Sequence, residues 1–392
     1  MISKTDKNNT VLYCRPGKVL LVLAWTVICF SCLDTAAVRQ IAVSTNKTAR
    51  NARTDALAAQ AHFRGGMEQV QRGNYSAAIR SFSSAVKLDP SMAEAYLNLG
   101  ACFERQGDFK RGKPFYLKAI SLEPANARLH YLYGTALIRN GFFADGLTRM
   151  ERAVYLEPKN MDYLFNLGLG FSTATQFHHA ASCFEEVASV VSNESIVWHY
   201  LGMTRFMLGQ TNQAVAAWEH VEIDSPVAAE TYYHLAAIEM SQGRVDSAIA
   251  RTKLALKLNP GLANARELLA MLHRRKGNYR EASNILEDMN LASPSARLED
   301  ILASLYREWA EQTYTQQQYR VALDRFRQAG RFRPGSAEIQ IGIARSALAI
   351  GELDKAKSAL NRARRYASTD AEENAVKHLA DQLENAQKST PD

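Results

Sequence analysis

Histidine and cysteine are the side chains with which this sequence could do chemistry, and their placement argues against it. Of nine histidines, His178 and His179 are neighbours that point different ways on a helix. His199 and His234 lie in adjacent units of the pattern described below, on what should be the same face, but no third ligand accompanies them. A zinc site needs three or four ligands, so a hydrogen-bonded or surface-lining role is expected for the pair and no metal. Cys29 and Cys32 form a C-x-x-C spacing inside an apolar run, where neither zinc nor redox chemistry fits. Beyond the first 37 residues only Cys102 and Cys183 remain, which reads as two buried thiols and not as a disulfide framework. Phosphate-binding, dinucleotide-binding, zinc-protease and nucleophile-elbow motifs are all absent, and no strand pattern could carry such a loop. No catalytic residue, cofactor or small-molecule substrate is therefore expected. Arg320, Arg325, Arg327, Arg331 and Arg333 crowd one stretch. It reads as a solvated face, with an acidic partner or a membrane surface as the alternative. The N-x-[ST] triplets at Asn46, Asn74 and Asn193 are frequent by chance and carry no weight.

The elements that would position a site begin with the chain's composition. Hydrophobic residues make 47% and charged residues 22%, a folded type of balance. A net charge of +7 over 392 residues gives no concentrated basic face for nucleic acid. Lys4, Lys7, Arg15 and Lys18 precede an apolar run from Val19 to Leu33, with small residues at Thr35 and Ala37. That arrangement is a signal peptide over residues 1–37, cleaved after Ala37. Retention as a signal anchor, which would attach the protein to a membrane, and acylation at Cys32 stay open, because Arg39, Lys47, Arg50 and Arg53 follow the run almost as densely. The expected location is outside the cytoplasm: periplasmic or secreted if cleaved, membrane-anchored otherwise. Residues 38–58 are polar and basic without helical periodicity and read as a tether.

A repeat dominates the rest. Seven of ten prolines form one column, Pro90, Pro124, Pro158, Pro226, Pro260, Pro294 and Pro334, mostly 34 residues apart. Small residues recur with the same period at Gly66, Gly100, Gly134, Gly168 and Gly202, and again at Ala78, Gly112, Gly146, Ala180 and Ala214. Between glycine and proline lie apolar-periodic stretches of about four helical turns, such as 93–106 and 109–122. Glycine permits the positive φ that ends a first helix, and proline ends the second because it has no N–H to donate. Small residues let the two helices approach while Phe82, Tyr116, Phe184, Trp218 and Phe326 fill the space beside them. One hairpin cannot bury its apolar face alone, but stacked neighbours can.

Tyr96, Leu99, Gly100, Phe103, Gly112, Tyr116, Ala119 and Pro124 together resemble the tetratricopeptide repeat scheme W-x2-L-G-x2-Y, A-x3-F, P. The resemblance implies an all-α, right-handed α-solenoid of about nine helix-turn-helix repeats over residues 59–370. A capping helix and short disordered tail would follow over 371–392. Two departures stand out. Thr175 and Ser192 replace the usual glycine and proline of the fourth repeat, which weakens its turns. Residues Arg297–Leu302 are added before the eighth, whose first helix should start early at an N-cap on Ser295, and where the stack is expected to bend or flex.

In this family the first helix of each repeat lines a binding groove, and the resemblance names the residues that would line it here. One column is Phe63, Leu97, Tyr131, Phe165, His199 and Tyr233. Beside it stand Leu169, Met203, Phe206 and Met240, with Met67, Met207 and Met271. Aromatics and methionines suit an adaptable protein- or peptide-binding surface. The groove is expected to turn polar through Glu267, Arg274, Arg307, Glu311 and Arg345. The carboxylate clamp of chaperone-docking relatives has no counterpart at Phe63, Met67, Leu97 and Ala101. The asparagine ladder of sugar-transferring relatives survives only at Asn98 and Asn166. The reading is a protein-interaction scaffold. Its rival is an accessory subunit or assembly factor of a cell-envelope enzyme or secretion complex.

Overall fold

The structure is a computed structural model that describes residues 35–389, with side chains from 50 to 388. The apolar run from Val19 to Leu33 and the last three residues lie outside the described residues. Every regular element described is a helix, and the chain divides into two compact units between Tyr163 and Leu164.

The first unit contains α1 (Thr35–Gln71), α2 (Tyr75–Leu88), α3 (Ala93–Arg105), α4 (Phe109–Leu122), α5 (Ala127–Arg139) and α6 (Phe143–Leu156). Its hairpins are α1 with α2, α3 with α4 and α5 with α6. The turn after α3 shows why glycine recurs. Gly107 takes φ +80°, its N–H reaches the Glu104 carbonyl at 2.8 Å, and the next N–H, on Asp108, reaches Phe103 at 2.9 Å. That pair of bonds satisfies the carbonyls a helix end leaves open, and only a left-handed residue can make it cheaply. The Asp108 side chain then caps α4 by accepting from the Arg111 N–H at 3.1 Å.

Residues 38–58 depart from the expected tether, since α1 runs through all of them. Alanines are frequent from 36 to 61, and no glycine or proline intervenes before Gly65, so nothing stops the helix once it starts. Packing begins at Ala59, which is fully buried, whereas residues 50–57 are exposed. Composition showed the missing apolar stripe but not the helix. Among the described residues no helix is long and apolar enough to cross a membrane.

The second unit contains α7 (Met161–Thr173), whose first turn spans the division. It continues with α8 (Phe177–Val190), α9 (Ser195–Met207), α10 (Thr211–Trp218), α11 (Ala228–Ser241) and α12 (Val245–Leu258). Then follow α13 (Ala263–Arg275), α14 (Tyr279–Ala292), α15 (Ala296–Thr315), α16 (Tyr319–Phe332), α17 (Ala337–Ala349), α18 (Leu353–Tyr366) and α19 (Asp370–Ser389). The small-against-bulky pairing is steric. A Cβ added to Gly168 would meet the Phe184 ring at 2.8 Å, and one on Gly202 would collide with Trp218. Trp218 and Phe184 are accordingly buried, and the Trp218 indole donates to the His199 carbonyl at 3.0 Å.

Three elements deviate from the regular hairpin. Helix α10 has eight residues where its counterparts have fourteen. After Trp218 the chain turns through i→i+3 bonds, His220 to Ala217 and Val221 to Trp218, on its way to Pro226. Helix α15 has twenty residues, capped by Ser295 accepting from the Leu298 N–H at 3.2 Å. Its added turn is no loose joint. Leu298 and Leu302 are buried, and one apolar cluster runs without a break from Ala270 to Leu383. A bending or flexing joint was expected there, but the period read from sequence could not show that the inserted leucines land on the core side. Helix α19 opens with a reciprocal cap between Thr369 and Glu372 and inserts Val376, Leu379 and Leu383 into the same cluster.

Candidate functional site

In the first unit, the residues expected to line a groove sit on α1, α3 and α5. Phe63 is half-buried with its ring 5.5 Å from Phe82, and Tyr131 stacks on Tyr163 at 4.9 Å. Leu97 is buried in the core beside Tyr116 and Tyr133. It is not available to a ligand, because a short aliphatic chain in that register ends inside the stack where a ring would emerge. Glu104 is the polar hub of this unit. It accepts from the Tyr116 hydroxyl at 2.8 Å and from Arg139 at 2.9 and 3.1 Å, tying α3 to α4 and α5. Burial and the Glu104 carboxylate push the Tyr116 hydroxyl far up, so it stays a donor.

In the second unit, the surface residues come from α7, α9, α11 and α13. Phe165 and Leu169 are half-buried on α7, with the Phe165 ring 5.5 Å from Phe184 and edge-on to Tyr200 at 5.6 Å. Met203 packs against Trp218, while Tyr233 and Met240 pack against the cluster around Leu268 and Leu272. Phe206 is 41% exposed, Met207 56% and Met271 46%. These eight apolar side chains thus stand on four consecutive first helices with atoms left uncovered. Met203, Ala237 and Met271 share one register, 34 residues apart, as do Phe206 and Met240.

His199 belongs to the core and not to this surface. Its Nδ1 lies 2.7 Å from the Thr231 hydroxyl, so it links α9 to α11. His234 stacks on Trp218 at 5.4 Å, with its ring 6.2 Å from that of His199. Burial, and then the charge of His199, drive the His234 pKa down to about 4. Burial lowers His199 also. Both rings are neutral at pH 7. Among the described residues no three His, Cys, Asp or Glu side chains gather as metal ligands. Burial pushes the Cys102 thiol up to about 11, which leaves it protonated and poorly nucleophilic.

The charged residues beyond this surface are paired from one first helix to the next. Arg297 binds Glu267, and Arg274 binds Glu308, with its Nε 2.7 Å from Oε2 and a further bond to Ser304 at 2.9 Å. Arg307 binds Glu338, and Arg345 binds Glu311 at 2.6 Å. Each pair spans about one repeat, so these side chains staple neighbouring repeats and have little left to offer a ligand. The sequence showed the charges but not their partners.

Models described as tetratricopeptide repeat or TPR repeat match residues 66–107, 93–126, 201–263, 239–305 and 314–377. The chain belongs to the tetratricopeptide repeat family, and its fold is that of a protein-interaction scaffold. Comparison with solved structures finds chains of low identity. A Pseudomonas aeruginosa pilF structure is 22% identical, with TM-score 0.46, covering 56% of this chain and 99% of that one. YrrB, described as a TPR protein with an unusual peptide-binding site, is 19% identical, with TM-score 0.40 and coverage of 50% and 97%. MamA from Desulfovibrio magneticus is 17% identical, with TM-score 0.38 and coverage of 41% and 92%. No curated protein matches the chain.

Proposed function

We propose that this protein holds an apolar segment of a partner protein, extended or helical, against the first-helix surface of α9, α11 and α13. The observation that carries the reading is the exposure of Phe206, Met207 and Met271 beside half-buried Met203, Tyr233 and Met240. Neighbouring charged side chains are occupied with one another, so the surface offers apolar contact and little else. Methionine adapts its shape to a ligand, and aromatic anchors supply most of the energy at such surfaces. The setting is outside the cytoplasm, a reading that rests on the basic start and the apolar run from Val19 to Leu33. Replacing Phe206, Met207 and Met271 together by alanine should weaken capture of an apolar peptide, selected on an array with the intact chain, by about a hundredfold. That is about 2.8 kcal/mol spread over three contacts. The melting temperature should hardly change, since these side chains are largely exposed. Unchanged affinity would remove the surface from consideration. A phosphatase reporter fused after residue 56 should be active only if exported, and an inactive fusion would contradict the location.

A further inference from the structure

The second helices of the last hairpins carry a site of a different kind. Helix α16 has four arginines against one acid, Asp324, and α18 has five basic residues against one acid, Asp354. Between the two helices lies a cleft of about 300 Å³. Arg327 and Arg331 line one wall, one helical turn apart, with Gly330 between them. Lys355, Ser358 and Arg362 line the other wall at i, i+3 and i+7. The floor is Gln340 and Ile343 of α17.

Three observations distinguish this cleft from an ordinary solvated face. The arginine run read as one solvated stretch is divided. Arg325 stacks on Trp309 at 3.9 Å and Arg333 binds Asp300 at 2.5 Å, so both are engaged. Among the described residues Arg327 and Arg331 are in no ion pair, though the Glu352 carboxylate interacts with Arg327 through its charge, and both line the cleft. The nearby Glu352 is bonded to Lys355 at 2.7 Å, which leaves the cations in excess. Second, Gln340 is only 2% exposed, its Nε2 donates to the Pro334 carbonyl at 3.3 Å, and its Oε1 has no donor. A buried carbonyl without a donor is costly, so the packing at the floor of the cleft is incomplete. Third, Gly330 sits inside a helix with ordinary room for a Cβ, whose nearest neighbours would be 3.7 Å away. Packing does not demand glycine there, but any larger side chain would narrow the entrance to Gln340.

We infer that this cleft between α16 and α18, floored by Gln340, binds an acidic peptide segment. Carboxylates would pair with Arg327, Arg331 and Arg362 across the cleft. A bare phosphate ion supplies one centre of charge, whereas the basic side chains are spread over two helical turns from Lys355 to Arg362, and a membrane surface cannot enter a cleft between two helices. The walls of the site are second helices and its floor is α17, and it is separate from the apolar surface of α9, α11 and α13.

The test is fluorescence anisotropy with the full chain and a labelled peptide of alternating glutamate and alanine, beside its glutamine counterpart. The glutamate peptide should bind and the glutamine peptide should not. R327Q with R331Q should weaken binding about tenfold, whereas R364Q with R365Q, the same loss of charge from α18 positions outside the cleft, should change it less than twofold. Gly330→Leu should also weaken binding with every charge kept, and circular dichroism would verify that its helices are intact. Equal loss from both arginine pairs would overturn the site in favour of diffuse attraction. So would competition by millimolar inorganic phosphate as effective as by the unlabelled peptide, or preferential binding to phosphatidylserine vesicles insensitive to Gly330→Leu.

Discussion

Two side chains show what individual residues cost or contribute. Thr175, with φ +58°, occupies the turn where most other hairpins place glycine and the α15–α16 hairpin places Gln317, and makes the same bonds, Thr175 N–H to Ser172 and Gln176 N–H to Phe171. A β-branched residue is strained there, so the fourth repeat has the weak turn its sequence indicated. Thr175→Gly should stabilise the protein by about 1 kcal/mol, seen as a higher urea midpoint. A lower midpoint would mean that Thr175 makes a compensating contact. His234 acts through protonation. Its pKa falls from 6.5 to about 4, caused by burial and then by His199, with Glu230 opposing. The unfolded chain therefore takes up a proton between pH 6.5 and 4 while the folded chain does not. Stability is complete above about pH 6.5 and falls through that window, by up to about 1.4 kcal/mol per pH unit. His234→Phe keeps the ring on Trp218, and the difference in urea midpoint between pH 7 and pH 5 should shrink. An unchanged difference would assign the acid sensitivity to His199, His130 or His273, which burial also depresses.

Helices and turns were the most legible level of this sequence, because backbone geometry demands particular residues at fixed spacing. Positive φ at Gly107 and collision at Gly202 are strict requirements, and strict requirements leave columns. The failures have equally specific causes. Residues 38–58 lacked an apolar stripe, and a helix without one is invisible to periodicity even when alanine propagates it. Leu97 and His199 share the register of Tyr131 and Tyr233, yet they end inside the stack, because side-chain length decides what emerges and register does not. The cleft could not be read at all, since Arg327, Gln340 and Arg362 come from three helices. For the added turn of α15, the buried Leu298 and Leu302 imply a rigid junction. Hydrogen exchange of the α15 amides from Leu302 onward should be as slow as within α13. Fast exchange confined to α15's first turns would restore the flexible joint that the broken period suggested.

Across the whole molecule, interactions divide by helix type within each compact unit. First helices are held to their neighbours by apolar contact and by pairs such as Arg128 with Glu94 in one unit and Arg345 with Glu311 in the other. On α9 and α11, which carry no such pair between first helices among the described residues, and on α13 beside its own pairs, apolar side chains remain uncovered. Exposed apolar atoms also occur on second helices, as at Leu291, which is 85% exposed. A photo-crosslinking amino acid placed in turn at positions 206, 271 and 291 of the full chain tests this division directly. Positions 206 and 271 should each crosslink to the same partner segment, and that segment should be apolar. Position 291 should give no product with it. Crosslinking of that partner from position 291 alone, or equally from all three, would contradict an apolar binding surface on the first helices.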